Sequence, residues 1–215
     1  MNDTARRPVA GIAAALDIAN LDTDQIMPKQ FLRGIDKAGL AAGLLYDLRF
    51  DAAGSRRADC VLNRPEGAGA RILVGGANFG CGSSREHAVW GLQQAGFEAV
   101  IAPSFGEIFH SNAMQNGLLA VMLPEAPARE LMRRVLAEPG CGARIALAAQ
   151  RVACGPVEAG FEMAPRHRRM LMEGLDVIGL TLTQREQIEA FASRQAAAQP
   201  WLVDVASRAR ARLDG

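Results

Sequence analysis

Aromatic side chains are scarce in this chain. They make up 5% of its 215 residues, too few to offer stacking platforms to single-stranded nucleic acid. Charge is balanced, with 24 Lys and Arg against 23 Asp and Glu, so no field draws in a phosphate backbone. Nucleic acid is excluded as a partner on both counts. No apolar run approaches the roughly 20 residues that a membrane span needs. No apolar signal core follows Arg6 and Arg7, which makes the expected location cytoplasmic. Cys60, Cys81, Cys141 and Cys154 are scattered without Cys-x-x-Cys spacing, and His87, His110 and His167 lack zinc spacing. Free thiols in a reducing compartment are expected, with no metal or cluster bound by this chain. Internal repeats and low-complexity linkers are also missing.

What the chain does have is concentrated in one stretch, Ile72-Leu-Val-Gly-Gly-Ala-Asn-Phe-Gly-Cys-Gly-Ser-Ser-Arg-Glu-His-Ala88. It reads as a short apolar strand, a glycine-rich loop and a helix that opens at the serines. Glycines let a ligand approach the main chain. Unpaired N–H groups at a helix start attract anions, and an arginine fork suits a carboxylate. A small anionic ligand fits every feature. Three familiar glycine-loop chemistries do not fit. A P-loop needs Gly-Lys-Ser/Thr, but Ser83 follows Gly82. A dinucleotide fingerprint needs a glycine where Arg85 stands. Neither Ser83 nor Ser84 has the two flanking glycines of a nucleophile elbow.

Around this stretch the pattern alternates strand and helix. Strands are expected over 11–19, 71–74, 99–102 and 118–123, with helices over 84–95 and 105–116 between them. That order implies a parallel sheet with right-handed crossovers. Asn20 to Asp24 carries turn and capping residues, and Pro28 suits the first turn of a short helix. Residues 51–69 read as surface loop with one short strand near 60–62. A helix over 127–137 follows, then short strands over 144–149 and 151–154, and a helix over 165–173 stopped by Gly174. Thr183-Gln-Arg-Glu186 has the form of a capping box opening a helix to Ala198. A last helix spans 201–213, and its basic end suits a helix C-terminus. The expected division is a domain over 1–180 with a helical extension over 181–215.

Asn78-Phe-Gly-Cys-Gly-Ser-Ser-Arg-Glu-His-Ala88 closely resembles the signature of the mobile C-terminal domain of aconitase-type dehydratases. The version here is most similar to the small subunits of 3-isopropylmalate dehydratase. Asp22-Thr-Asp-Gln-Ile-Met-Pro-Lys-Gln-Phe31, Tyr46-Asp-Leu-Arg-Phe50, Ala102-Pro-Ser-Phe-Gly-Glu-Ile-Phe109 and Asn116-Gly-Leu-Leu-Ala-Val-Met-Leu-Pro124 match in order and spacing. The resemblance implies an α/β swivelling domain, layered β/β/α around a largely parallel sheet, with C-terminal helices added.

It also implies a hydro-lyase of leucine biosynthesis that is complete only as a heterodimer. The large subunit would hold a [4Fe-4S] cluster, and this chain none. Ser83 would be the catalytic base. Ser84, Arg85 and Asp24 would bind a small dicarboxylate substrate, with Arg33 as the counterpart of a second binding arginine. Leu40, Leu44 and Leu45 are expected to line an apolar pocket for the substrate's alkyl group. Taken singly, Ser83 is equally a helix cap, Arg85 a surface ion-pair residue and Asp24 a turn residue. Two other functions share the motifs: the small subunit of a citramalate, homoaconitate or dimethylmalate hydro-lyase, and a non-catalytic carboxylate-binding module.

Overall fold

The computed structural model describes residues 8–32 and 39–213. Arg6, Arg7 and Arg33 lie outside them. The chain separates into two units, one ending at Asp176 and one beginning at Val177.

The first unit holds a seven-stranded sheet in the order β4-β3-β2-β1-β5-β6-β7. The strands are β1 (Val9–Leu16), β2 (Ile72–Gly75), β3 (Ala99–Ala102), β4 (Leu119–Met122), β5 (Gly142–Ala146), β6 (Arg151–Cys154) and β7 (Val157–Gly160). The first four run parallel, and the last three form an antiparallel meander. β1 belongs to both halves. Its residues Val9 to Ile12 pair with β5, and Ala13 to Leu16 pair with β2.

The parallel strands are buried along almost their whole length, as crossover helices on a parallel sheet require. Between them run α4 (Glu86–Gln94) and α5 (Glu107–Gln115); α6 (Glu125–Ala137) follows β4 and α7 (Pro165–Glu173) follows β7. α6 turns Ala128, Leu131, Met132 and Val135 inward at helical spacing. Gly174 ends α7 in the left-handed conformation, as its sequence position predicts. Three short helices, α1 (Thr23–Ile26), α2 (Leu40–Gly43) and α3 (Tyr46–Arg49), occupy the long excursion between β1 and β2.

Three local expectations are corrected, and one strand is added. Residues 60–62 form no strand, because 3-10 turns occupy Val61–Asn63 and Pro65–Gly67. There Asn63 donates to the carbonyls of Arg49 (2.6 Å) and Arg57 (2.9 Å), replacing a strand partner with a side chain. Pro28 precedes a 3-10 turn, Lys29–Phe31, while the α-helix lies before it. β7 is a strand that the sequence does not announce, because four residues between glycines give too short an alternation. Leu40, Leu44 and Leu45 are at most 4% exposed and belong to the hydrophobic core, so they line no open pocket.

α5 and α7 meet at His110 and His167, whose ring centres are 6.2 Å apart. Burial, and then the charge His167 can carry, hold His110 below the ordinary imidazole range. The folded state therefore binds a proton at His110 less readily than the unfolded chain does. Stability from this site is complete above about pH 6.5 and is lost as pH falls below it. The melting temperature should drop between pH 7.5 and 5.5, and His110→Gln should flatten that slope. An unchanged slope would remove His110 as its source.

The second unit contains α8 (Val177–Leu182), α9 (Arg185–Ala198), a 3-10 turn at Pro200–Leu202 and α10 (Val205–Leu213). Thr183 does not cap α9. Its hydroxyl donates to the Leu180 carbonyl at 2.7 Å, and Gln184 holds the cap position without a side-chain bond. α8, which ends just upstream, takes the threonine that a capping box would need.

Candidate active site

The glycine-rich loop after β2 lies between the segments that follow β1 and β3. All three leave the carboxyl ends of parallel strands, where ligands bind in open α/β sheets. On the β1 side, Asn20 N–H donates to Ala77 (2.8 Å), Gly80 N–H to Leu21 (2.7 Å) and Thr23 N–H to Cys81 (2.9 Å). On the β3 side, Phe79 N–H donates to the Ser104 carbonyl (3.0 Å) and Gly106 N–H to Phe79 (2.9 Å). The Ser104 hydroxyl also accepts from Asn78 N–H at 2.8 Å. The loop is thus laced to both neighbours before it reaches the serines.

Two glycines shape it. Gly80 has φ of +72°, and a Cβ there would run into the ring of Phe109. Gly82 has φ of +89° with room around it, so conformation rather than space demands glycine there. The turn at Gly82 leaves Ser83 and Ser84 exposed.

The helix opens later than the sequence suggests. α4 begins at Glu86, and extended Arg85 (φ −134°, ψ 100°) is its cap, with no side-chain cap bond. Ser83 lies two residues further out and caps nothing. The simplest structural role for its hydroxyl is therefore gone.

Arg85 folds back from this position. Its side chain is 13% exposed and forms a close ion pair with Asp24, which is 43% exposed. Its Nη1 also donates to the Met27 carbonyl at 3.5 Å. Lys29 stands 3.8 Å from the same Asp24 carboxylate. The α1 turn that presents Asp24 is fixed by a full capping box, in which Asp22 accepts from Gln25 N–H (2.7 Å) and Gln25 accepts from Asp22 N–H (3.1 Å). Ser83, Ser84, Arg85 and Asp24 are brought into one neighbourhood, and Arg33 falls outside the described residues.

Sequence reasoning misses one residue of the site. Thr23 is 1% exposed, the only buried polar side chain among the described residues. Its hydroxyl donates to the Ser83 carbonyl at 2.9 Å, pinning the backbone of the serine across 60 positions of sequence. The available signal is Asp22-Thr-Asp-Gln-Ile26, where the threonine adjoins Asp24. Cys81 donates to the Asn20 carbonyl at 3.4 Å, which confirms it as a loop residue.

Could this chain's cysteines hold a cluster? Cys141 and Cys154 face each other at 3.5 Å in the interior, and burial with the Cys141 contact pushes the Cys154 thiol up to about 12. Such a thiol resists the deprotonation that ligation requires. No three His, Cys, Asp or Glu side chains converge as metal ligands among the described residues. The donor set does not fit an iron–sulfur cluster.

Residues 7–126 match the family model described as the aconitase C-terminal domain. Residues 178–205 match the model for the C-terminal domain of 3-isopropylmalate dehydratase small subunits. A relative from Chromobacterium violaceum, named 3-isopropylmalate dehydratase small subunit 1, is 57% identical over 98% of this chain and 99% of its own. The chain belongs to the 3-isopropylmalate dehydratase small-subunit family. A second family member, from Phenylobacterium zucineum, is 48% identical over 88% of this chain and 94% of its own. A crystal structure of a 3-isopropylmalate dehydratase from Methanocaldococcus jannaschii superposes with a TM-score of 0.61 at 27% identity, covering 86% of this chain and 99% of that one. The family's swivel-domain fold, expected from the motifs, is the fold found here.

Proposed function

We propose that this chain is the small subunit of 3-isopropylmalate dehydratase, a hydro-lyase that interconverts 2-isopropylmalate and 3-isopropylmalate for leucine biosynthesis in the cytoplasm. The observation that carries the reading is the exposed Ser83-Ser84 pair beside an arginine already held by a carboxylate. The substrate's proton leaves a carbon next to a carboxylate, where it is only weakly acidic. Ser83 takes that proton as its alkoxide, stabilised by loop N–H groups and the guanidinium nearby. Ser84 and Arg85 bind the substrate carboxylate. Arg85 commits only Nη1 to protein partners among the described residues, which leaves Nε and Nη2 for a two-pronged contact. Asp24 holds the fork in place.

Hydroxide is a poor leaving group, and a [4Fe-4S] cluster held by the large subunit would supply the Lewis acidity for its departure. Among the described residues nothing covers the exposed serines, and the partner is expected to close the site against water. The test mixes the purified chain with its cluster-loaded large subunit and 2-isopropylmalate. Turnover by the mixture and by neither chain alone is the expected result. Activity or stoichiometric iron in this chain alone would overturn the division of labour.

Thr23→Val removes the hydroxyl that pins Ser83 and keeps the side chain's shape. Stability should fall by about 1 kcal/mol, and kcat by about 10- to 100-fold as the serine loses its fixed position. Thr23→Ser should restore both. A kcat untouched by Thr23→Val would confine the residue to packing.

A further inference from the structure

The substrate of the proposed reaction carries two carboxylates, and the fork of Arg85 can hold one. Among the described residues one other cation reaches the aspartate that steadies this fork. Lys29, on the 3-10 turn close behind α1, stands 3.8 Å from Asp24. The two cations divide the carboxylate between them, Arg85 on Oδ1 and Lys29 on Oδ2. They are held very differently. Arg85 is 13% exposed and also donates to the Met27 carbonyl. Lys29 is 74% exposed, and its ammonium has no second partner among the described residues. At 3.8 Å the pair is longer than a hydrogen bond, and an exposed pair of this kind adds little to stability. Lys29 is therefore free to exchange Asp24 for another anion.

We propose that Lys29 is the second carboxylate ligand of the site. It leaves Asp24 and pairs with one substrate carboxylate while Arg85 holds the other. The proposal rests on the small-subunit function and adds the residue that reads the second charge. Two cations that meet one carboxylate leave a positive charge in excess beside the exposed serines. The adjacent acid, Glu86, turns its Oε1 to the side-chain amide of Asn116 at the end of α5 (3.1 Å). Carboxylates on neighbouring carbons, as in 2-isopropylmalate, suit two cations that flank a single carboxylate group. Lysine suits the mobile position, since a compact charge on a flexible stem can pass between partners. Arginine suits the fixed one, where its planar fork is already oriented. Exclusion of water from the site strengthens the new pair beyond its worth on an open surface.

The test compares Lys29→Gln with the unaltered chain, each reconstituted with the cluster-loaded large subunit. KM for 2-isopropylmalate should rise about 10- to 100-fold, the worth of a charged hydrogen bond, with kcat nearly constant. The melting temperature should not move. Two competitive inhibitors separate binding from support of Asp24: isopropylsuccinate, a dicarboxylate, and isocaproate, its counterpart with one carboxylate. Lys29→Gln should weaken isopropylsuccinate to the level of isocaproate and leave isocaproate unchanged, and Lys29→Arg should restore most of the difference. Equal weakening of both inhibitors would show that Lys29 only steadies Asp24, and an unchanged KM would remove it from the site. Selective loss of isopropylsuccinate in Arg33→Gln but not in Lys29→Gln would assign the second carboxylate to Arg33. Each of these results overturns the proposal and leaves the small-subunit reading standing. No turnover from the unaltered pair would take down both.

Discussion

Ser83→Ala is expected to lower kcat by about 100- to 10,000-fold, the usual cost of losing a general base. Assembly with the large subunit and substrate affinity should be almost unaffected. The structure sharpens this expectation in one respect. A serine that caps a helix costs about 1 kcal/mol of stability when removed, and that loss would blur the result. Here the cap of α4 is Arg85, two residues on. The melting temperature of the variant should therefore match that of the unaltered chain. Ser84→Ala is the comparison, expected to weaken binding as well as turnover. Near-normal turnover by Ser83→Ala would end the proposed mechanism and leave the family assignment intact.

Arg85→Lys should raise KM and lower kcat/KM by about 10- to 1,000-fold. Lysine keeps the charge and even the ion pair with Asp24, but offers a point charge where the guanidinium offers a planar fork. With one ammonium committed to Asp24 and the Met27 carbonyl, no second donor array remains for the substrate carboxylate. Truncating one partner of a buried hydrogen-bonded charge pair costs about 2–5 kcal/mol, and lysine, which keeps the charge, should lose less than the full amount. Steady-state kinetics on the reconstituted enzyme measures it. Unchanged KM and kcat would show that Arg85 serves only to hold Asp24.

Much of this arrangement is legible in the residues because the parallel half of the sheet is written in short apolar runs closed by glycine or proline. β2 runs into Gly75 and Gly76, β3 into Pro103 and β4 into Leu123 and Pro124, and α7 has its own stop at Gly174. Local signals fail where a neighbour claims the same atoms. Thr183 has capping-box spacing, yet its hydroxyl is taken by the helix before it. The leucines over 40–45 mislead for a different reason, since an apolar side chain looks the same whether it fills a core or lines a pocket. In the site, the serines, the arginine and the aspartate stand out as residue types in a motif. That Thr23 reaches the Ser83 carbonyl is a fact of topology. It depends on β1 and β2 being parallel neighbours, which no local pattern contains.

The double membership of β1 also sets the order in which the molecule can be made. Val9 pairs with Ile145 and Ala13 with Ile72, so neither edge of this first strand finds its partner through a short hairpin. Contacts that close such long loops form late, whereas the hairpins of β5, β6 and β7 need only local search. In synthesis β1 precedes both its partners, by about 60 residues for β2 and by about 130 for β5. The turn bearing Thr23 and Asp24 hangs from the end of that strand and settles only when the strand does. A chain interrupted before β2 is synthesised leaves the strand without its parallel neighbour, whereas one interrupted before β5 still pairs Ala13 to Leu16 and leaves only Val9 to Ile12 waiting.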